Sequence, residues 1–197
     1  MVMFFYFMKN FFKLSILSLI SINAFAEDIQ LNGSNKVYKV KDINKKIESN
    51  GTFQLQNSTI RELKSNGMAK IYNSDVKIIN GNGLVLLKKS KSDQIFVKGA
   101  IKVQNSNIKK IIIDSNGKII KIQDDSNIEK ILVENSDMDQ IIQIVNSTVK
   151  EVEFKSKKGI VEHDSKSKIT TVIGGNLVKK DAKELLKSNK KKKEKTK

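Results

Sequence analysis

The sequence predicts an all-β protein, a repeat β-solenoid of parallel, β-helix-like coils, about eight in number and 16–21 residues each, with a short C-terminal helix cap. The first observation behind this prediction is a glycine that recurs with spacings of 18, 16, 16, 16, 18 and 42 residues. The last gap divides at Met138 into two units of 21 residues. A fixed period of this length is typical of proteins built from stacked repeats. The recurring glycines are Gly33, Gly51, Gly67, Gly83, Gly99, Gly117 and Gly159.

Alternating aliphatic and aromatic residues follow several of these glycines and form the second observation. An apolar side chain at every other position indicates a strand with one buried face. The first half of each unit is therefore predicted to be a short strand. The pairs are Phe53/Leu55, Ala69/Ile71, Val85/Leu87 and Ile101/Val103.

A polar corner comes next in each unit, and it is the third observation. Asn, Asp and Ser favour such corners because their side chains hydrogen-bond the local backbone, and Asn also tolerates positive φ. Aliphatic residues return two and five residues after the serine, which predicts a second strand. The pattern of the second strand is weaker in the unit from Gly83 to Lys98, because Ser92 stands where an aliphatic residue is expected. The corners are Asn57-Ser58, Asn73-Ser74, Asn105-Ser106, Asp125-Ser126 and Asn146-Ser147.

Other arrangements of these segments fit less well. Helices are disfavoured because the segments are short and rich in β-branched residues, and isolated helices of that length are marginal in water. An antiparallel β-meander or jellyroll is the alternative, with hairpin turns at the Asn-Gly and Asn-Ser steps. The solenoid explains more, because it requires the same residue type at the same place in every unit. Aliphatic residues would stack in inner columns and asparagines in a ladder at the corner.

Residues 1–26 have the pattern of a cleavable signal peptide. Lys9 and Lys13 supply positive charge, residues 14–22 form a short apolar core, and Ala24 and Ala26 provide the small residues of a cleavage site. The apolar stretch falls short of the roughly 20 residues that a spanning helix needs. The sequence therefore predicts export to the periplasm, the cell envelope or the outside of the cell.

The remaining chain divides into four predicted parts. Residues 27–50 would form an N-terminal cap and the first coil, and residues 51–175 the β-repeat domain. Residues 176–188 would form a helix cap, with Asn176 as the N-cap and apolar residues from Leu177 to Leu186 on one face. Residues 189–197 would be a disordered lysine-rich tail. Exposed end strands promote association, so we also expect end-to-end self-association of the solenoid.

The charge of the chain is strongly positive and unevenly distributed. The formal net charge is +16, and residues 176–197 carry ten lysines against three acidic residues. Clustered ammonium groups attract polyanions largely by releasing counterions, so anionic envelope polymers and lipopolysaccharide are the expected partners. Arg61 is the single arginine, so bidentate reading of bases and sequence-specific nucleic-acid binding are not expected. The candidate anion-binding residues are Lys190, Lys191, Lys192, Lys193, Lys195 and Lys197.

Residues that carry catalysis or bind metals are scarce. His163 is the single histidine and the chain has no cysteine. A zinc site normally needs several such ligands, and a catalytic triad needs a nucleophile held on a defined turn. The glycine-containing turns lack the spacing of a phosphate-binding loop. The sequence therefore predicts a non-enzymatic protein without catalytic residues, metal or cofactor, in which His163 is structural.

Two resemblances suggest what such a protein does. The two-strand units, export signal and Asn-rich corners resemble the architecture of curli-type amyloid subunits, bactofilins and the repeat stalks of surface adhesins. This resemblance implies a structural, adhesive or scaffold role in the envelope or outside the cell. The segments DQIFVKGAIKVQNSNIK (93–109) and KITTVIGGNL (168–177) look like the strand–Gly–strand units of OstA-like periplasmic bridge proteins. That second resemblance implies the alternative function, a periplasmic carrier or binding module for an envelope lipid such as lipopolysaccharide.

Overall fold

The computed structural model describes residues 29–32, 36–114, 120–135, 140–156 and 158–187, and within these ranges it contains eighteen strands and one helix. One nine-stranded sheet, here called the long-strand sheet, consists of β1 Ile29–Asn32, β3 Lys41–Asn50, β5 Thr59–Ser65, β7 Asp75–Gly81, β9 Lys91–Val97, β11 Asn107–Asp114, β13 Asn127–Asn135, β15 Thr148–Phe154 and β17 Lys168–Ile173. The other, the short-strand sheet, consists of β2 Lys36–Tyr38, β4 Phe53–Gln56, β6 Ala69–Tyr72, β8 Val85–Lys88, β10 Ile101–Gln104, β12 Ile120–Gln123, β14 Gln140–Ile144, β16 Gly159–His163 and β18 Asn176–Lys179. The helix α1 is Ala182–Lys187.

Consecutive strands alternate between the two sheets, and neighbours within each sheet are parallel. The chain therefore winds as a β-solenoid of about eight turns, each turn giving one strand to each sheet. The solenoid prediction is confirmed, and the antiparallel meander or jellyroll alternative is wrong. Within the predicted first coil at 27–50, β1 pairs with β3, while β2 and β3 pair with β4 and β5 of the next coil.

The core lies between the sheets and is built from columns of equivalent residues. In the short-strand sheet Phe53 pairs with Ala69, Ala69 with Val85 and Val85 with Ile101, so one column continues from coil to coil. These side chains are almost completely buried. Burial of one large aliphatic or aromatic side chain contributes about 1.5–3 kcal/mol. The matching column of the long-strand sheet contains Leu63, Ile79, Ile95, Ile111, Ile131 and Val152.

The later, longer coils keep this pairing. Ile101 pairs with Ile120 although they are separated by more than one 16-residue period. Pairing between β11 and β13 shifts register between Ile113 and Asp114, where the chain leaves the sheet. Residues 115–119 and 136–139, between the strands of the longer coils, lie outside the described residues, and one extra residue lies at the Asp124-Asp125 corner, where both residues have positive φ. Lengthening of the coils is thus accommodated between strands rather than within the aliphatic columns.

The corner between the two strands of a coil has a left-handed backbone. Asn57, Asn73, Asn105 and Asn146 have φ of 46–48°, a region that asparagine tolerates better than most residues. Lys89 takes the same conformation in the coil that lacks a corner asparagine, with φ 53°. The corner geometry is therefore kept even where the sequence pattern is interrupted.

A buried column of serines ties the corners together. The backbone N–H of Ser58 donates to Ser74 Oγ at 3.1 Å, that of Ser74 to Ser90 Oγ at 3.3 Å, and the pattern continues through Ser106 and Ser126. Each hydroxyl in turn donates to a carbonyl of its own coil, as Ser74 Oγ does to Tyr72 O at 2.7 Å. A serine ladder thus accompanies the corner asparagines, whose predicted side-chain ladder is seen at one step, where Asn146 Nδ2 donates to Asp125 Oδ1 at 2.9 Å. Asn57, Asn73 and Asn105 are exposed and Asn146 is half-buried, whereas the serine that follows each of them points inward.

Substitution of Ser74 by alanine is expected to lower the free energy of unfolding by about 1–3 kcal/mol. The change leaves the buried N–H of Ser58 without its acceptor, which costs the desolvation of that group. Chemical denaturation monitored by circular dichroism measures the loss. The control is Ser165→Ala, since Ser165 is exposed and outside the ladder. Equal effects of the two changes would show that the ladder contributes nothing.

The chain after the last coil differs from the predicted cap. Asn176 lies in β18 and does not cap a helix, because residues 176–179 continue the short-strand sheet by pairing with β16. The helix is shorter than predicted and starts at Ala182, where Asp181 Oδ1 accepts the N–H of Lys183 at 2.7 Å. Leu185 is 1% exposed and its carbonyl accepts from Lys121, an outward-facing residue of β12. The helix therefore packs on the outer face of the short-strand sheet.

Candidate functional site

The anion-binding residues predicted from the sequence fall in the tail. Lys190, Lys191, Lys192, Lys193, Lys195 and Lys197 lie outside the described residues, as does the predicted signal peptide at 1–26. Their roles stay predictions. Candidate sites among the described residues must therefore be sought on the two sheet faces, at the end of the solenoid and around α1.

His163 lies at the end of β16, paired with Ile144 on one side and Lys179 on the other. Its Nδ1 is 2.9 Å from the backbone carbonyl oxygen of Asp164, so the ring has a local main-chain partner. The side chain is half-buried in the inward-facing column near the end of the stack. The structural role of His163 stays a prediction.

Within the described ranges, no group of three or more His, Cys, Asp or Glu side chains is arranged to hold a metal ion. The same part of the chain has no helix of the length and apolarity needed to cross a membrane. The surface pockets among these residues include one of about 560 Å³ and one of about 250 Å³. Both are lined by charged residues of both signs, which does not match an apolar ligand.

The outer face of the long-strand sheet carries lysines and carboxylates that form ion pairs between neighbouring coils. Lys109 Nζ lies 2.8 Å from the Asp93 carboxylate of the preceding coil. Lys130 Nζ lies 2.7 Å from both Glu151 and Glu153 of the following coil. Exposed pairs of this kind contribute at most about 1 kcal/mol each. Their alternation along the axis nevertheless neutralises much of the charge on this face.

The outer face of the short-strand sheet is basic. Lys70, Lys88 and Lys102, here called the basic strip, project outward from β6, β8 and β10, and each follows a buried residue of a core column. Among the described residues, no carboxylate forms an ion pair with any of these three lysines. The outward positions of β4 to β12 contain no acidic residue. The two faces of the solenoid therefore differ in charge as well as in strand length.

The helix α1 covers a small polar network at one end of this basic face. Lys180 Nζ lies 2.6 Å from Glu162 Oε1, and Gln143 donates to the other carboxylate oxygen at 3.0 Å. Lys121, 3% exposed, donates to the carbonyl of Leu185 at 3.4 Å. The network joins α1 and its preceding segment to β12, β14 and β16.

The network sets the charge states of its members. Burial acts to raise the pKa of Glu162, but hydrogen bonds from Lys180 and Gln143 outweigh it and hold that pKa below its usual range. The hydrogen bond to Glu162 raises the pKa of Lys180. Burial, with repulsion from Lys102, lowers the pKa of Lys121. The Glu162–Lys180 pair is thus ionised across neutral pH.

Acidification is expected to release α1 from the sheet. A carboxylate whose folded pKa is depressed contributes stability above its unfolded pKa of about 4.3, and this contribution disappears as pH falls through the folded value. The methyl resonances of Leu185 should therefore shift toward random-coil values in an acid titration. In Glu162→Gln the titration step should be absent. An unchanged step in that variant would assign the transition to another carboxyl group.

The C-terminal end of the solenoid is open among the described residues. The last strands, β17 and β18, each have a sheet neighbour on one side only. Ile173, Leu177 and Val178 are 47%, 48% and 36% exposed at this end. Because α1 packs on the side of the solenoid, it leaves these apolar residues and the outer edges of both strands uncovered.

Sequence reasoning did not find the basic strip, and it predicted end-to-end association without identifying the residues of the open end. A signal for the strip was present, because Lys70 and Lys102 each lie between two inward aliphatic residues of a predicted strand. The open end had no such signal, since its exposure depends on where α1 packs. No protein-family model, curated protein or solved structure matches this chain.

Proposed function

We propose that this chain is a non-enzymatic structural element of the cell envelope or the extracellular space, exported by its signal peptide and extended by end-to-end stacking of solenoids. The observation that carries the proposal is the open end formed by β17 and β18. Unpaired backbone N–H and C=O groups on such edges are ready to pair with another strand. A second copy is the proposed occupant.

The opposite end supplies a matching surface. Ile29 of β1 pairs with Ile47 in the same core column that ends at Val172 of β17. In a head-to-tail stack, Ile29 of one copy would follow Val172 of another and continue the column. Ile29, Leu31 and Val172 are only partly buried, so stacking would remove further apolar surface from water.

Sedimentation velocity of the exported chain tests this function over a range of concentrations. We expect association that increases with concentration and that Leu177→Lys abolishes, because the change places a charge in the contact. The matched control is Leu186→Lys, since Leu186 is 51% exposed on α1 and away from the end. A monomer at every concentration, or equal loss in both variants, would contradict stacking.

The lipid-carrier alternative requires an apolar surface open to a lipid. The space between the sheets is filled by the buried columns, which favours the scaffold proposal. Phe96, Ile112 and Leu132 share an outward column of the long-strand sheet, but Ile112 and Leu132 are buried and only Phe96, 38% exposed, is open to an acyl chain. If solvent extracts of the purified protein contain lipid in a stoichiometric amount, the scaffold proposal is contradicted and the lipid-carrier function is supported.

The lysine-rich tail has a proposed role of its own in holding the scaffold to anionic envelope polymers. Six lysines at 190–197 give a charge density that binds polyanions without selecting among them. Deletion of residues 189–197 should release the protein from envelope fractions at low salt. Unchanged partitioning at every salt concentration would remove this role.

A further inference from the structure

We infer that the outer face of the short-strand sheet is a binding site for an acidic polysaccharide that lies along the solenoid axis. The site consists of the basic strip with Tyr72 and Gln54 beside it. It is separate from the tail, which lies outside the described residues, and from the open end.

Strand register determines the geometry of the site. Gln54, Lys70, Leu86 and Lys102 pair successively and form one outward column. Parallel strands are spaced by about 4.8 Å, so Lys70 and Lys102 are two coils, or roughly 10 Å, apart along the axis. Lys88 lies in the neighbouring outward column, two residues beyond Leu86. The ammonium groups thus follow the axis and suit an extended polyanion better than a compact anion.

Charge makes this face the more favourable one for an anion. On the long-strand sheet an incoming anion meets carboxylates such as Asp93, Glu129 and Glu151 and must compete with them for lysines. The outward positions of β4 to β12 on the short-strand sheet hold no carboxylate. The basic strip therefore offers attraction with little repulsion nearby, and the neighbouring carboxylate of Asp124, at the corner after β12, accepts a hydrogen bond from Gln104 at 2.6 Å.

The polar neighbours of the strip favour a polysaccharide over other polyanions. The side-chain amides of Gln54 and Gln56 and the hydroxyl of Tyr72 are half-buried beside the lysines and can both donate to and accept from sugar hydroxyls. Single-stranded nucleic acid would need several aromatic platforms, and Tyr72 is the single aromatic residue on the outward positions of β4 to β12. A membrane surface would need projecting apolar side chains, whereas Leu86 is half-buried between lysines. The ammonium group of lysine is a point charge, so it can bind a carboxylate from several directions.

The test compares two triple variants of the exported chain, both with the tail intact. One removes the strip, Lys70→Gln/Lys88→Gln/Lys102→Gln. The other removes the same charge from exposed positions on the long-strand sheet, Lys41→Gln/Lys91→Gln/Lys168→Gln. Binding to polygalacturonate is measured at several salt concentrations, with melting curves to verify folding. All six positions lie outside the core, so both variants are expected to fold.

We expect the strip variant to weaken polygalacturonate binding about tenfold more than the control variant at low salt, with a smaller salt dependence. Equal weakening in both variants would overturn the site, because the binding would then follow net charge alone. Failure of the wild type to bind polygalacturonate would overturn it as well. Tighter strip-dependent binding of single-stranded DNA or of anionic vesicles would assign the face to that ligand and contradict a polysaccharide. The result does not depend on end-to-end stacking, since Leu177→Lys chains can be compared in the same assay.

Discussion

Replacement of Ile108 by aspartate is expected to lower the free energy of unfolding by more than about 4 kcal/mol. Ile108 is 2% exposed in a column between Ser92 and Ile128, so the new carboxylate would be buried without a cationic partner. Because each coil is supported by its neighbours, the damage should extend beyond one turn. Urea denaturation followed by circular dichroism measures the loss.

The control for this change is Asn107→Asp, which introduces the same charge one residue away on the exposed face. It should alter stability by less than about 0.5 kcal/mol. Ser92 shows why a polar residue is tolerated in this column while a charged one is not. Its hydroxyl is within 3.3 Å of the carbonyl oxygens of Lys77 and Gln94, so a small neutral donor is satisfied there. Similar stabilities of the two aspartate variants would mean that Ile108 is not in the core.

Substitution of Gly83 by alanine is expected to cost about 3 kcal/mol. A Cβ at this position would lie 2.2 Å from the backbone oxygen of Gly67 in the preceding coil. Backbone atoms in a stacked column cannot move aside as a flexible side chain can, so two coils would have to separate locally. The same contact recurs at Gly67 and Gly99, which makes these glycines a column required by close approach.

Asn82→Ala is the matched control for Gly83→Ala. Asn82 is adjacent and exposed, and its backbone N–H bond to Ser65 O is unaffected by the change. Its effect should stay within about 0.5 kcal/mol. A stability of Gly83→Ala close to that of Asn82→Ala would show that the coils are spaced more widely than the structure indicates.

The fold could be predicted from the sequence because every coil of a solenoid requires the same residue types at the same positions. The 16-residue spacing of Gly51, Gly67, Gly83 and Gly99 reflects a column in which each glycine abuts the preceding one. Aliphatic alternation identified the inward residues, and the buried positions of Ile108 and Ile111 are confirmed. Each sequence repeat showed the same pattern of glycine and aliphatic residues, so the prediction rested on several independent observations.

Features that occur once could not be predicted in the same way. The left-handed corner at Lys89 has no asparagine to mark it, and neighbouring coils impose its conformation. The site of α1 depends on tertiary contacts, chiefly burial of Leu185 and the bond from Lys121, which no periodicity encodes. The serine ladder was missed for a related reason. Asn and Ser both mark the corner in sequence, and only the backbone conformation decides that Ser74 and its equivalents are inside.

Candidate sites were predicted less well than the fold. Composition pointed to the lysine-rich tail, because a run such as Lys190–Lys193 is visible without any structure. The basic strip is dispersed over residues 70–102 and becomes a single surface only when strand register aligns its lysines. Residues that are one coil apart in the sequence are neighbours in a solenoid, so a surface patch built from them is not visible as a run of residues.

The one-to-one pairing of the 16-residue coils also makes the length of the molecule adjustable. Loss of residues 67–82 would join Asn66 to Gly83 and bring Leu63 into the position beside Ile95 that Ile79 now holds. Duplication of the same segment would add one coil, or about 4.8 Å, without creating a new kind of contact. Loss or gain of a whole turn would therefore change the length of the solenoid without disturbing the core columns, although loss of residues 67–82 would also remove Lys70 and Tyr72 from the outer face.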